Sequence, residues 1–395
     1  MKYGRLITLG ALGAMPFLAH AQSSVTLYGV IDESLGYTSN EGGGHVWGMS
    51  GGVLQGSRWG FRGTEDLGGG WATIFTLENG FDATNGSAQQ GGLLFGRRAF
   101  VGLSNERFGS VTLGRQYDEV VDYPGPFADR GLGGGYIASH PGDIDNFNNA
   151  YRTNNAIKYE SANYGGFHFG GLYSLGGVAG DTGRNQIWSL GAGYQGGALA
   201  FGVGYLNVRN PNVSFFGNST TGTPSVGNAT VSSPVYSGFT SARTYQVTGA
   251  GAAYRFGATT LGATWSNIQF LGLGDTAESG PNPSGYTGSA RFNNGEINLQ
   301  YRITPALTVT AAYDYMRGSS VSSSSGVNGG ATYNQGTLSA DYALSKRTDV
   351  YVIGVYQRAS GTDSTDHAAV ASIDGLTASK GNSQTAVRFG LRQRF

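Results

Sequence analysis

Charged side chains of opposite sign are prominent in the first half of the chain. The segment 118–153 carries the carboxylates of Glu119, Asp122 and Asp129, and only four of the 25 basic side chains are lysines. Arginine keeps its charge at physiological pH, and its planar fork can be held by several acceptors at once. Acids facing arginines across a narrow, water-filled passage would create a transverse electric field that orders water and favours small polar solutes.

Other kinds of chemistry have less support in the sequence. The chain has no cysteine, which excludes thiol catalysis, cysteine-ligated zinc and iron–sulfur clusters. A catalytic nucleophile needs a base within hydrogen-bond reach. However, His45, His140 and His367 fall in predicted loops, and His168 lies in a predicted strand as a polar, inward-facing residue. We therefore expect neither an enzyme nor a bound cofactor.

Metal binding is also weakly indicated. The pairs Asp143/Asp145 and Asp363/Asp366 offer the carboxylate oxygens that calcium prefers. Neither pair belongs to a complete calcium-loop motif, and solvated acids are the simpler interpretation. No metal site is predicted.

The first 21 residues are typical of an export signal. Lys2 and Arg5 form a basic start, residues 6–18 are apolar, and Ala19-His20-Ala21 offers small residues for cleavage. The apolar stretch is too short to span a bilayer as a helix. We predict a signal peptide over 1–21 and a mature barrel domain over 22–395. Without the leader, 23 basic side chains stand against 25 acidic ones, so no nucleic-acid partner is expected.

Alternation with a period of two recurs through the rest of the chain and is typical of strands with two different faces. Ile297, Leu299 and Tyr301, for example, alternate with polar residues. The 69 glycines, 23 tyrosines and 20 phenylalanines also fit many tightly turned strands. Sixteen such segments are predicted: 25–38, 54–66, 70–83, 93–105, 109–117, 154–163, 166–176, 185–195, 198–209, 243–256, 258–270, 290–303, 306–318, 331–344, 347–359 and 384–395.

The connections between these segments alternate strictly in length. Short turns fall at 67–70, 105–108, 163–165, 195–197, 256–257, 304–305 and 345–346. Long connections fall at 39–53, 84–92, 118–153, 177–184, 210–242, 271–289, 319–330 and 360–383. Tight turns on one side and long loops on the other are typical of a membrane-spanning barrel. The sequence therefore predicts an all-β fold, a 16-stranded antiparallel transmembrane β-barrel with long extracellular loops and short periplasmic turns.

The distribution of charge over the strand faces indicates which face lines the interior. If the apolar faces filled the barrel, the charged faces would meet lipid, at about 2–4 kcal/mol for each midplane arginine. We therefore predict a polar interior. About sixteen strands leave it too wide for side chains to fill, so it should hold water. With Trp59 and Phe61 towards lipid, Arg58 and Arg62 face this lumen.

The last strand has the same two faces. Phe389, Leu391 and the terminal Phe395 lie on one face, and Arg388 and Arg392 lie on the other. A strand that ends the chain on an aromatic residue is the usual form of an outer-membrane assembly signal. These three apolar residues are the predicted signal.

Several stretches resemble the general porins of Gram-negative bacteria, in their β-proteobacterial branch. They are SVTLYGVID at 24–32, SRWGFRGTEDLG at 57–68, RRAFVGL at 97–103, FGSVTLGRQ at 108–116 and RFGLRQRF at 388–395. The resemblance implies a homotrimer in the outer membrane, with one water-filled pore in each barrel for passive diffusion of ions and small hydrophilic solutes. Outer-membrane lipid, lipopolysaccharide and the barrel assembly machinery are the implied partners.

In that family the third loop folds inward and narrows the pore, which here points to residues 118–153. A loop longer than about 15 residues is usually functional or disordered, and Pro124-Gly125-Pro126-Phe127 would stiffen this one. The Pro-Glu-Phe-Gly-Gly motif of better-known members is not reproduced. We expect Glu119, Asp122 and Asp129 on the acidic side of the constriction.

Opposite this loop we expect a ladder of arginines. It starts with Arg58 and Arg62. The family's fourth strand implies that Ala99 faces inward, which would turn Arg97 inward too, and Arg115 is the next candidate. A simpler alternative is that these arginines form salt bridges that brace the barrel wall.

Two other functions of a barrel stay open. A substrate-selective channel needs a run of aromatic residues inside, whereas most aromatics here fall on the lipid-facing set. An adhesin or structural barrel is suggested by the Ser/Thr/Gly-rich loops 210–242 and 360–383. That role is compatible with a pore.

Overall fold

The computed structural model describes residues 23–216 and 232–395. The predicted signal peptide, residues 1–21, and much of the predicted loop 210–242 lie outside the described residues. Over the described ranges, no helix is long and apolar enough to cross a membrane. The secondary structure is almost entirely β-strand, in agreement with the period-two alternation.

Nineteen strands occur in the described residues. The longest is the first, with 18 residues. The strands are β1 (Ser24–Glu41), β2 (Gly44–Gly51), β3 (Arg58–Gly68), β4 (Trp71–Gly80), β5 (Arg98–Asn105), β6 (Gly109–Gln116), β7 (Thr153–Glu160), β8 (Phe167–Ser174), β9 (Ile187–Gly196), β10 (Leu199–Arg209), β11 (Ala242–Phe256), β12 (Thr259–Leu273), β13 (Gly288–Arg302), β14 (Leu307–Gly318), β15 (Val321–Ser323), β16 (Gly326–Asn328), β17 (Ala331–Ala343), β18 (Thr348–Gly361) and β19 (Ser383–Arg394).

The helices are single turns in the connections. Two have four residues, α1 (Glu119–Asp122) and α2 (Pro211–Ser214). The others are 3-10 turns at Gly125–Phe127, Tyr136–Ala138, Pro141–Asp143, Ser237–Phe239 and Ala277–Ser279, and a π-helical turn at Arg130–Gly134.

Sixteen strand positions close the barrel, and we call each of them a stave. β2 and β3 are two halves of one stave, because β2 pairs with the second half of β1 and β3 pairs with the first half. All pairings in the main sheet are antiparallel, and β19 closes on β1 from Val30↔Arg394 to Thr38↔Ala386. β15 and β16 form a separate hairpin. The predicted 16-stranded antiparallel barrel is confirmed.

Each of the sixteen predicted segments overlaps a stave, and the main error lies in the predicted loop 39–53. There β1 continues to Glu41, Gly42 and Gly43 turn the chain with φ of 61° and 107°, and β2 returns over Gly44–Gly51. The glycines interrupt the alternation of side chains, which hides this strand in the sequence. The predicted loop 319–330 likewise contains the β15–β16 hairpin.

The two faces of the strands differ as predicted. In β1, Val25 and Leu27 are 67% and 55% exposed on the outside, whereas Asp32 and Ser34 are 0% and 2% exposed on the inside. The Tyr351 hydroxyl of β18 donates to the inward Asp32 carboxylate at 2.6 Å. The barrel is therefore polar inside and apolar outside.

The longest described connection, residues 117–152 between β6 and β7, folds into the barrel, and we call it the inner loop. Asp118 caps α1 by accepting from the backbone N–H groups of Val120 and Val121 at 3.1 and 3.3 Å. Glycine lets the loop approach the wall closely. A Cβ on Gly202 of β10 would lie 2.3 Å from the Tyr123 carbonyl oxygen, so a larger residue would push the loop away.

Aromatic packing fixes the far side of the inner loop. Phe147 of the loop and Tyr245 and Phe270 of the wall are fully buried in one apolar cluster. The Tyr245 hydroxyl donates to the Ile144 carbonyl at 2.6 Å. Part of the lumen is thus filled by packed side chains, and the open space lies elsewhere.

The end of the chain forms the seam of the barrel. Gly29 and Phe395 exchange two backbone hydrogen bonds of 3.1 and 3.0 Å. The Phe395 ring covers Gly29 so closely that a Cβ there would lie 2.3 Å from the ring. Phe389 and Leu391 point outward, 59% and 50% exposed. The last strand therefore presents an apolar outer face up to its final residue.

Phe395→Ala should lower the fraction of chains that fold into a heat-resistant barrel, because it uncovers the seam at Gly29. The fraction is measured from heat-modifiable migration in SDS gels. The matched control is Phe256→Ala, since Phe256 is also an outward aromatic residue next to a tight turn, 48% exposed against 47% for Phe395. Equal losses in the two variants would contradict a special role for the seam.

Candidate functional site: a charged cavity beside the inner loop

A cavity of about 2040 Å³ lies inside the barrel beside the inner loop. Its lining, among the described residues, includes eight arginines and five carboxylates. They are Arg58, Arg62, Arg97, Arg98, Arg130, Arg152, Arg392 and Arg394, and Glu78, Asp82, Asp122, Asp341 and Asp374. The lining thus carries more positive than negative charge.

Glu78 of β4 holds two of the predicted arginines. Arg97 Nε donates to Glu78 Oε1 at 2.7 Å, and Arg58 Nε lies 3.8 Å from Oε2. The Tyr28 hydroxyl donates to the same Oε2 at 2.8 Å. Arg58 and Arg97 therefore line the cavity while also bracing the wall.

The Tyr117 ring lies among three arginines. Arg97 donates to its hydroxyl at 3.0 Å, while the guanidinium groups of Arg98 and Arg152 lie 3.9 and 5.8 Å from the ring centre, within cation–π range. Burial raises the pKa of the Tyr117 hydroxyl, but attraction to Arg97 and Arg98 outweighs burial and holds the pKa below its ordinary value. The lowered pKa of Tyr117 indicates a strongly positive electrostatic potential around its hydroxyl group.

Four lining arginines have no carboxylate within ion-pair distance in the described part of the chain: Arg62, Arg98, Arg130 and Arg152. Arg62 lies over the Tyr28 ring at 5.4 Å, and Arg152 donates to the Ala150 carbonyl at 3.0 Å. Arg62 and Arg98 come from the wall, whereas Arg130 and Arg152 come from the inner loop. Uncompensated positive charge therefore reaches the cavity from both sides.

Arg97 reaches the cavity for a different reason than predicted. Val101 and Leu103 are 52% and 48% exposed on the outside. Ala99 shares their face, so it points outward and not inward as expected. Arg97 precedes β5, which begins at Arg98. The alternation of inward and outward side chains in that strand therefore does not determine the direction of Arg97. Its side chain turns inward to Glu78, and Arg98 is an inward residue of β5 that the prediction missed.

Arg115 does not line the cavity. The register of β6 shifts between Gly114 and Gln116, next to this residue. Its side chain is buried and donates to the Gly96 carbonyl at 2.8 Å and to the Asn154 side chain. Arg115 therefore connects the segment before β5 to β7 within the wall.

Glu119 and Asp122 of the inner loop share one cation. Lys158 Nζ of β7 lies 2.9 Å from Glu119 Oε2, 2.9 Å from Glu160 Oε1 and in contact with Asp122, and it donates to the Tyr117 carbonyl at 3.0 Å. Asp122 lines the cavity, whereas Glu119 is fully buried. These acids attach the loop to the wall.

Asp129, the third predicted acid, also faces the wall. It is fully buried, and its backbone N–H donates to Glu296 Oε1 of β13 at 2.8 Å. Burial, assisted by repulsion from Glu296, raises the pKa of Asp129 to about 8. Of the three predicted carboxylates, only Asp122 lines the cavity.

The loop between β18 and β19 contributes one more acid to the cavity, Asp374. Burial raises its pKa to about 7, although donors from Gly375 and Asn148 oppose the rise. Burial and repulsion from Asp374 raise the pKa of Asp143 well above its ordinary value. The negative charge that Asp374 adds to the cavity therefore changes with pH around neutrality.

Several lining or bracing residues were missed at the level of the sequence. Lys158 could have been found, because Ile157 and Tyr159 are apolar and alternation turns Lys158 inward. Glu78 alternates in the same way with Leu77. No periodicity applies to Arg130 and Arg152, since both lie in the irregular inner loop.

A closed antiparallel barrel with a polar interior and an apolar outer face defines a transmembrane β-barrel protein. The family model for Gram-negative porins matches residues 8–362, and the chain belongs to this family. It is accordingly an outer-membrane β-barrel.

Known proteins agree with this assignment. The chain is 35% identical over 223 residues to an outer membrane porin protein of Bordetella pertussis, covering 52% of this chain and 56% of that protein. The match thus spans about half the length of that curated relative.

Two solved structures share the fold. The anion-selective porin from Comamonas acidovorans matches with a TM-score of 0.70 and 23% identity, over 95% of this chain and 100% of that one. A trimer form of OmpT from Vibrio cholerae matches with a TM-score of 0.60 and 16% identity, over 94% and 99%.

Lys158→Met should destabilise the barrel by about 3–5 kcal/mol, because removing Lys158 leaves the buried Glu119 carboxylate uncompensated. Glu119, Asp122 and Glu160 would repel one another and loosen the inner loop. We expect a lower midpoint of thermal unfolding and altered single-channel conductance. Lys346→Met, in an exposed turn, is the control. An unchanged midpoint in Lys158→Met would show that this lysine does not hold the loop.

Proposed function

We propose that the chain forms a water-filled channel for passive diffusion of small hydrophilic solutes, with a preference for small anions. One observation carries the proposal: Arg62, Arg98, Arg130 and Arg152 line the cavity without a carboxylate partner among the described residues. Rings and lines of arginine favour anions in water-filled pores.

The lining carboxylates offset this charge only in part, because most of them are already paired. Glu78 binds Arg97, Asp122 binds Lys158, and Asp341 lies 3.3 Å from Arg392. A charge at 4 Å from an ion is worth about 4 kcal/mol at an effective dielectric constant of 20. Since the fields of paired charges largely cancel, the four unpaired arginines dominate what a passing ion experiences.

The name of the similar Comamonas protein, an anion-selective porin, supports the same preference. At 23% identity that likeness concerns the fold. The argument for this chain therefore rests on its own arginines. Membership of the porin family likewise supports a channel rather than an enzyme.

We further propose a homotrimer that is inserted by the barrel assembly machinery and surrounded by outer-membrane lipid and lipopolysaccharide. OmpT, which shares the fold, has been solved in a trimer form. The outer faces of β1, β2 and β19 expose Leu35, Met49 and Leu391, which suits lipid or a second barrel. Cleavage of residues 1–21, leaving 22–395 as the barrel, belongs to the same proposal.

In bilayers with a KCl gradient, the wild-type reversal potential should have the sign of chloride permeation. The triple variant Arg62→Gln, Arg130→Gln, Arg152→Gln should move it towards zero, since it removes unpaired charge without exposing a buried acid. Arg291→Gln with Arg317→Gln, which are exposed residues outside the cavity lining, serves as the control. Absence of conductance from folded wild type would disprove the channel, and an unshifted potential would disprove the role of the arginines.

Anion preference should weaken between pH 6 and pH 8. Because the pKa of Asp374 is raised to about 7, its carboxyl group is mostly neutral below that pH and mostly negative above it. The additional negative charge above pH 7 opposes the arginines. Reversal potentials at several pH values measure the change, and Asp374→Asn should give a flat profile. A stronger anion preference at higher pH would refute this assignment.

A further inference from the structure

His140 of the inner loop lies in a polar cluster that the proposed channel does not use. Its neighbours are Asp145 of the same loop, Glu296 of β13 and Asp314 of β14, and we call these four residues the His140 cluster. Each is at most 3% exposed, and none lines the cavity. The cluster is enclosed between the inner loop and the wall.

Asp145 fixes the orientation of the imidazole ring. Its Oδ2 lies 2.6 Å from His140 Nδ1 and also accepts from the Ser266 hydroxyl at 2.6 Å. A carboxylate that accepts from Nδ1–H leaves Nε2 as the free, more basic nitrogen. This is the usual arrangement behind a metal-binding histidine.

His140 Nε2 points at two carboxylates from the wall. It lies 3.5 Å from Glu296 Oε2 and 3.7 Å from Asp314 Oδ2, and the Thr264 hydroxyl is 3.3 Å away. The other oxygen of Glu296 accepts from Asp129 N–H at 2.8 Å and from an asparagine amide. Glu296 is therefore held with Oε2 directed towards His140.

Asp314 is a buried carboxylate with few partners. Both of its carboxylate oxygens are buried and accept no hydrogen bond of normal geometry from the described residues, and the Asn294 amide lies nearby. Removing a carboxylate from water without a donor or cation costs several kcal/mol. One imidazole faces three carboxylates here, those of Asp145, Glu296 and Asp314, so the cluster has room for further positive charge.

We propose that the His140 cluster binds one divalent first-row transition cation, such as Zn²⁺. The ligands are His140 Nε2, Glu296 Oε2 and an Asp314 oxygen, which lie within 4.8 Å of one another. Tetrahedral bonds of about 2.0–2.2 Å separate ligand atoms by about 3.4 Å, close to the 3.5 and 3.7 Å observed. The Thr264 hydroxyl or a water molecule completes the coordination. An imidazole with two carboxylates suits these ions better than magnesium or calcium.

A second acidic trio, formed by the inner loop and β7, provides a contrast. Glu119, Asp122 and Glu160 also bring three oxygens within 4.8 Å. The ammonium group of Lys158 already lies among them. The corresponding position in the His140 cluster has no lysine or arginine ion pair in the described residues, so a cation from solution would serve there as Lys158 does in the trio.

A bound ion would join the inner loop to β13 and β14. His140 belongs to the loop, whereas Glu296 and Asp314 belong to the wall, so the three bonds would cross-link the element that narrows the lumen. Loss of the ion should therefore loosen the loop. The rival occupant is a proton on His140, whose imidazolium would pair with the same acids without any metal.

The test uses the full mature chain, refolded in chelator-treated detergent buffer and then dialysed with Zn²⁺. Metal per chain is measured by plasma mass spectrometry. We expect about one zinc per folded chain and a higher thermal midpoint with zinc than without. Excess Ca²⁺ should not displace the zinc. Absence of stoichiometric zinc, or zinc without a change in the midpoint, would overturn the proposal and leave the imidazolium as the occupant.

Variants locate the ion. His140→Gln should lose the zinc and the zinc-dependent stabilisation, whereas Asp145→Asn should weaken affinity about 10–100-fold. The matched control is His168→Gln, because His168 stacks on Tyr123 at 5.2 Å and belongs to neither cluster. Equal zinc in His140→Gln and wild type would disprove the site.

Wild-type protein gives a second readout that does not depend on whether variants fold. Replacing Zn²⁺ by Co²⁺ should produce visible d–d absorption typical of four- or five-coordinate nitrogen and oxygen ligands. The bands should disappear when Zn²⁺ is added back. A spectrum identical to that of hydrated Co²⁺ would contradict inner coordination by His140.

Discussion

The structure depends on one constraint, that backbone N–H and C=O groups inside lipid must be paired by the protein itself. Closing β19 on β1 satisfies it, but a sheet of sixteen staves surrounds a lumen wider than its own side chains can fill. The inner loop follows from this excess of space. It occupies part of the lumen and leaves a cavity of about 2040 Å³. The passage is therefore shaped by contacts inside the barrel and not by the strand ladder.

Besides the aromatic packing around Phe147, those contacts are mainly ion pairs. Lys158 collects three carboxylates, Glu78 holds Arg97, and His140 faces acids from two strands. Buried ion pairs add little net stability, because desolvation offsets attraction, yet removing one partner is costly. Such pairs therefore mainly fix the position of the inner loop, since only one placement of the loop satisfies them. A loop seated by apolar contacts alone could slide along a wall of small residues such as Gly202.

The strands could be predicted from the sequence, whereas the contacts of the inner loop could not. Alternation located every stave, because a strand between lipid and water must sort its side chains onto two faces. The inward direction expected for Ala99 came from the family resemblance and was wrong, whereas alternation places it outward with Val101. Alternation does not apply at Arg97, which precedes β5, or at Arg115, beside a register shift. Alternation could not predict the roles of Glu119 and Asp129, because acids in an irregular loop can face either the cavity or the wall. Only the three-dimensional fold distinguishes those orientations, and the same is true of Arg130 and Arg152.

Arginine serves two purposes in this barrel, and the partner decides which one. Arg97 and Arg392 bind carboxylates and stiffen the wall, so their fields are largely cancelled at the cavity. Arg62 and Arg98 meet aromatic rings instead. A ring orients a guanidinium through its quadrupole while leaving the net charge in place. Tyr28 and Tyr117 thus hold cations without neutralising them. In the proposed channel, this arrangement keeps positive charge both ordered and available to a passing ion.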